Sequence, residues 1–204
     1  EGAIVISFFS ISQEPSFEIY RTIEPKIGSG SLDINSGCSG YVNGLALAKD
    51  LIIARGYNRV LLLVGDTISK TIDLKDSSTS LIFGDAGTAT IVDAEKINKN
   101  KSFFLFGSDG KGVESLIIKN SLFKEQSNTR NKLYMNGSNV FNFTIQRIPN
   151  FIKELANKKS QEINSFDYIF LHQANKFLIN HIRKKIGVSA DCVPINIDYF
   201  GNTS

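Results

Sequence analysis

Short apolar runs rich in β-branched residues punctuate the chain, and they predict strands over residues 3–10, 32–35, 59–65, 81–83, 88–92, 103–106, 168–171 and 193–197. The run 59–65 (RVLLLVG) has no polar alternation, the pattern of a parallel strand covered on both faces. Helical spacing replaces the runs elsewhere. Val42, Leu45, Ala46, Lys49, Ile52 and Ile53 recur on one side of a helix over 41–55, and Gly56 stands where a helix C-cap glycine would. An amphipathic pattern predicts a second long helix over 140–157, and a third over 176–186 closes at Gly187. A shorter helix is expected over 17–27, a turn over 84–87, and polar connections over 93–102 and 119–132.

The order strand, small polar turn, helix, glycine, apolar strand occurs twice. Its spacing is nearly the same each time, from Cys38 to Val60 and from His172 to Val193. An internal duplication of β-α-β units accounts for this economically, with a first half over 1–95 and a second over 96–204. In both halves a residue of chemical interest, Cys38 or His172, falls where a strand's carboxyl end meets the next helix. Ligands of open α/β sheets bind at that edge.

Composition changes the picture only by exclusion. A chain of 204 residues with 42% hydrophobic and 21% charged residues is neither disordered nor fibrous. No apolar run reaches the ~18–20 residues of a membrane span, so a soluble chain with no membrane partner is expected. Two cysteines, Cys38 and Cys192, are too few for a disulfide framework or a zinc cage. A reducing cytosol is therefore the default and no metal is expected; no cofactor is expected either. The net charge of +3 is small, and basic clusters such as Lys158-Lys159 and Arg183-Lys184-Lys185 are not interleaved with aromatics, so nucleic acid is not implied.

Few residues could carry chemistry. Cys38, flanked by Gly37, Ser39 and Gly40, opens a helix, where the macrodipole and unpaired N–H groups favour thiolate; a buried small apolar residue in a tight corner is the alternative. Cys192 precedes a strand without neighbouring glycines and is read as packing. His172 ends an apolar strand and is either a core or capping residue or an acid-base group, while His181 lies on the polar face of the following helix. Asn202 follows the last strand in a Gly-Asn-Thr-Ser turn. Gly84-Asp85-Ala86-Gly87 lacks the Lys-Ser/Thr of a phosphate loop and leads into a strand, so it is a structural turn. The case for function rests on the combination of Cys38, His172 and Asn202, each at an expected carboxyl edge.

Five segments together resemble one family. Asp33-Ile34-Asn35-Ser36-Gly37-Cys38-Ser39-Gly40-Tyr41, Ile82-Phe83-Gly84-Asp85-Ala86-Gly87, Met135-Asn136-Gly137 with Val140-Phe141, His172-Gln173-Ala174-Asn175 and Gly201-Asn202-Thr203-Ser204 follow the order of β-ketoacyl-acyl carrier protein synthase III. The resemblance implies a thiolase-like α-β-α-β-α layered fold of two similar halves, working as a homodimer on acyl-CoA and malonyl-acyl carrier protein. It implies Cys38 as the acyl-accepting nucleophile, with His172 and Asn202 stabilising the enolate formed as carbon dioxide leaves. Asn136, Gly137, Phe141, Ala174 and Asn175 match positions lining the pantetheine channel, and Met135 one near the acyl pocket.

Three positions depart from the family pattern. Ser77 follows Asp76 where an Arg that holds the nucleotide is usual, and Phe177 stands where a basic residue is expected, with Lys176 adjacent. Glu14-Pro15 aligns with the Phe-Pro of the acyl pocket. The chain also reads as lacking the family's opening strand and helix and its final glycine-rich loop. Decarboxylative condensation is the expected activity; acyl transfer to an alcohol or amine, and an inactive binding homologue, are the alternatives.

Overall fold

The order β1 (Ala3–Phe9), β2 (Gly30–Ile34), α1 (Gly40–Arg55), β3 (Arg59–Asp66), β4 (Ala86–Asp93) builds a four-stranded sheet. The structure, a computed structural model, describes residues 30–97, 102–118 and 132–204, together with the backbone of 3–9. The helix expected over 17–27, Glu14-Pro15 and nearly all of the 119–132 connection lie outside the described residues.

The sheet order is β2-β1-β3-β4. β1 pairs in parallel with β2 and with β3, whereas β3 pairs antiparallel with β4 from Arg59↔Asp93 to Asp66↔Ala86. α1 carries the chain from β2 across β1 to β3. Gly56 ends it with φ +70°, its N–H donating to the Ile52 carbonyl, a left-handed cap that costs glycine least. Ala48 and Ile52 of α1 meet Val60 and Leu62 of β3 and Val92 of β4 in a closed core. β3 is buried on one face by Val60 and Leu62, while Leu61 and Leu63 on the other are only half-buried, so the expected covering of both faces is corrected. The antiparallel neighbour β4, with Ile91 65% exposed, leaves that side open.

Residues 81–83 do not form a strand. A one-turn helix, Ser77–Ser80, precedes them, and β4 pairs with β3 instead of folding back on 81–83. The connection after β4 contains a further helical turn, Ala94–Ile97.

The backbone divides into two compact units, one of residues 1–70 and 85–102, the other of 71–84 and 103–204. In the second, β5 (Leu116–Ile118) and β6 (Leu133–Met135) form an antiparallel pair. α2 (Gly137–Lys158) begins three residues earlier than its apolar pattern implied, because Asn136 caps it, and it contains Pro149. α3 (Lys176–Ile186) ends at Gly187 with φ +79°. Ile179 and Ile186 of α3 pack with Val188 and Val193, and Ile152, Ile163, Ile169, Leu171, Cys192 and Ile195 pack around them.

The strands expected over 103–106, 168–171 and 193–197 are absent. Ile197 opens a one-turn helix to Phe200. Exposure does alternate along 168–171, with Ile169 and Leu171 half-buried against the core and Tyr168 and Phe170 exposed. A strand, however, also needs a ladder partner. One backbone bond, Ile169 N–H to the Cys192 carbonyl at 2.7 Å, joins the two segments, and one bond is not a ladder.

Candidate active site

Cys38 lies in the second residue of a single 3₁₀ turn, Gly37–Ser39, that runs directly into α1. Gly37 takes φ +50°, which lets the chain turn sharply after β2. Ser39 fixes the turn, its N–H and its hydroxyl both donating to the Ser36 carbonyl, and Asn43 one turn on donates to the Ser39 carbonyl and hydroxyl. The Cys38 side chain is exposed and forms no disulfide. It therefore stands at the amino end of a 16-residue helix, where the dipole favours a negative charge. Cys192 is half-buried, with its Sγ 3.5 Å from the Ser189 hydroxyl, and belongs to the packing of the second unit.

In the second unit His172 precedes the residues that start α3. Its ring surface is exposed, yet its pKa is held below the ordinary histidine value by desolvation. Water reaches the residue, while the protein around it replaces the water that would stabilise an imidazolium. The ring is therefore neutral at neutral pH and offers one N–H donor. Gln173 stitches this segment to the one leading to Asn202. Its amide donates to the Leu171 carbonyl at 3.0 Å and the Pro194 carbonyl at 3.3 Å, and its Oε1 accepts from Asn196 N–H at 3.1 Å.

Asn202 is 6% exposed. Its N–H donates to the Ile82 carbonyl at 2.8 Å, and its carbonyl accepts from Gly84 N–H at 2.9 Å, so Phe83 and Asn202 form an isolated parallel bridge. The side-chain Oδ1 accepts from Ser204 N–H at 3.0 Å. A backbone N–H can bond only to the oxygen of the carboxamide, which fixes the orientation and leaves Nδ2 as the end that donates. The 84–87 turn thus has two jobs. Gly84 holds Asn202 in the second unit, and in the first unit Asp85 accepts from the Ser69 N–H and hydroxyl.

The residues expected to line a substrate channel fall at two helix starts. Asn136 caps α2 by accepting from Asn139 N–H at 3.0 Å, and Asn175 caps α3 by accepting from Leu178 N–H at 2.7 Å. Met135 ends β6, Gly137 opens α2 with open space where a Cβ would go, and Ala174 N–H closes on the His172 carbonyl. Phe141 stacks on Phe177 with ring centres 5.7 Å apart and meets the edge of His181 at 5.9 Å. His181 is consequently half-buried, against its expected surface position.

The family description of 3-oxoacyl-(acyl-carrier-protein) synthase III matches residues 32–110, and that of its C-terminal part matches 155–204. The chain belongs to the synthase III family. A β-ketoacyl-(acyl-carrier-protein) synthase III of Clostridium tetani is 31% identical over 187 residues, 85% of this chain and 56% of that protein. A crystal structure of a 3-oxoacyl-(acyl-carrier-protein) synthase III superposes with a TM-score of 0.87 at 30% identity, over 98% of this chain and 65% of the other. That of a synthase from Burkholderia xenovorans LB400 gives 0.85 at 35% identity, over 99% and 61%. The chain thus spans less than two thirds of the length of these relatives, and its fold is their thiolase-like α/β fold.

Against the synthase III pattern the departures now have local structure. Asp76, next to Ser77, caps the 77–80 turn: Ser78 N–H donates to it at 2.9 Å and the Thr79 hydroxyl at 3.2 Å. Bonds from Ser78, side chain first and backbone second, hold its carboxyl below the usual range. Lys176 does not replace the missing cation freely, because its Nζ pairs with Asp198 at 2.6 Å. Phe177 is 69% exposed, so the first turn of α3 presents an aromatic surface there. In the sequence Gly84 reads as part of a structural turn and Gln173 only as part of a motif. Glycines at both Gly84 and Gly201, each beside a residue of interest, were the available signal of close backbone approach.

Proposed function

We propose that the protein is a synthase III-type condensing enzyme, forming a β-ketoacyl thioester from an acyl-CoA donor and malonyl-acyl carrier protein in fatty acid or related acyl synthesis. The Cys38 thiolate attacks the donor carbonyl and expels CoA as thiolate, which takes a proton from water, leaving an acyl thioester on Sγ. Malonyl thioester then loses carbon dioxide, and the oxygen of the resulting enolate takes hydrogen bonds from the His172 imidazole and from Asn202 Nδ2. The enolate carbon attacks the acyl carbonyl, the bond to Sγ breaks, and Cys38 leaves as thiolate. The reading requires Cys38, of the first unit, and His172 and Asn202, of the second, to act on one pair of substrates. A cytoplasmic homodimer is part of the same reading; among the described residues no helix is long and apolar enough to cross a membrane.

One arrangement carries the reading: Gln173 ties the His172 segment to the one leading to Asn202, the Asn202 carboxamide keeps Nδ2 as its donor end, and desolvation keeps the His172 imidazole neutral. Two neutral N–H groups suit an enolate oxygen better than cations would, since they stabilise developing charge without neutralising the malonyl carboxylate in advance. Asn202→Ala in the native protein is expected to keep acyl-Cys38 formation by intact mass and to lose ~10²–10³-fold in malonyl decarboxylation, the usual loss for one oxyanion donor. Labelled carbon dioxide is the readout. An unmodified protein that loads Cys38, releases none and passes its acyl group to an alcohol or amine would be a transferase instead.

A further inference from the structure

We propose that Gly84 is a positioning residue for Asn202, and that the Ile82–Gly84 backbone is the clamp that sets where the Asn202 carboxamide donates. The inference rests on the role given to Asn202 above. Asn202 is gripped from both sides of its peptide unit, its N–H by the Ile82 carbonyl and its carbonyl by Gly84 N–H, at 2.8 and 2.9 Å. Bonds of that length are ordinary between two backbones; what glycine answers here is the lack of room for a side chain beside them. A Cβ at Gly84 would collide with the Phe200 carbonyl oxygen, a backbone atom that cannot swing aside. On the facing strand a Cβ at Gly201 would stand 2.9 Å from the Ile82 carbonyl oxygen, and Gly201 already takes φ +70°. The two glycines therefore face each other across the clamp, each making room for the other strand. Gly87, in the same Gly-Asp-Ala-Gly segment, is different: its Cβ would meet the Val64 carbonyl oxygen at an ordinary 4.0 Å.

A side chain at Gly84 must push the 200–202 backbone away, and the carboxamide moves with it. Displacing a positioned group by ~1 Å can cost ~10²-fold in rate. Gly84→Ala in the native protein is expected to lower malonyl decarboxylation ~10²-fold while acyl-Cys38 forms at nearly the parental rate. Gly87→Ala is expected to keep both activities. The decisive arm is the double variant: with Asn202→Ala present, Gly84→Ala should remove nothing further, because the group it positions is gone. Additive losses, or parental decarboxylation by Gly84→Ala, would overturn the clamp. Parental decarboxylation by Asn202→Ala would instead overturn the reading of Asn202.

A second measurement needs no turnover. Amide hydrogen exchange should find Gly84 and Asn202 N–H protected at least tenfold over the Phe177 N–H in the first turn of α3, which has no intrahelical acceptor, and Gly201→Ala should abolish that protection while leaving Leu62 in β3 unchanged. Unprotected Gly84 and Asn202 amides in the parental protein would refute the clamp whatever the chemistry.

Discussion

At the scale of single residues, exposure separates the two cysteines more sharply than any sequence motif. Cys38 is exposed on a helix start and Cys192 is half-buried in a core, so iodoacetamide is expected to label Cys38 first and by a wide margin. Peptide mass mapping after brief exposure checks this, and equal labelling would contradict it. His172 carries a pH signature of definite sign. Its folded pKa lies below the reference value of 6.5, so as pH falls the unfolded chain binds the proton first. Stability from this group is complete above the unfolded pKa and is lost as pH falls from there through the folded one. Urea midpoints measured on either side of that window should therefore differ less in His172→Gln than in the parent. A two-dimensional NMR titration should also place His172 below the reference. The histidine itself was legible in the sequence. Its neutrality was not, since desolvation is a property of the surroundings.

At the scale of elements, two residues that the resemblance matches to a substrate channel are helix caps in the structure. Asn136 and Asn175 match channel-lining positions in the resemblance, and in the structure each commits its Oδ1 to a backbone N–H of the helix it begins. Asn175→Ala is expected to cost ~1 kcal/mol of stability, the usual loss of an N-cap, whereas Asn175→Asp, which preserves the acceptor, should cost little. Denaturant melts of the two variants test the cap. A substrate role would show separately, as a change in KM shared by both. The helices themselves were well marked: their apolar spacing, and Gly56 and Gly187 beyond their ends, are local signals. The strands over 81–83, 168–171 and 193–197 were over-read. A short apolar run has the alternation of a strand whether or not another segment offers it a ladder.

At the scale of the whole molecule, each unit rests on its own set of buried side chains. Leu62 is fully buried in the first unit, among Ala48, Ile52, Val60 and Val92. Leu62→Ala is expected to cost ~2–5 kcal/mol through lost apolar burial and the cavity left behind. A chemical-denaturation midpoint reads this directly, and a loss under about 1 kcal/mol would mean that the cluster rearranges to fill the space.

The sequence by itself determined the α/β class, the three long helices and the glycine ends of two of them, the position of Cys38 at a helix start, and the motif set that marks the synthase III family. These depend on residues a few positions apart, and the chain writes such relations as periodicity, caps and turns. Only the tertiary structure decided that 71–84 belongs with the second unit, where Leu133 N–H bonds to the Thr71 carbonyl and Gly84 N–H to that of Asn202. It alone revealed the antiparallel pairing of β3 with β4, the tie of Lys176 to Asp198, and the clamp on Asn202. Each joins segments whose separation along the chain carries no periodic signal. Gly84 and Asn202 meet because two backbones close on each other in space, and a pattern read along one strand of sequence does not contain that distance.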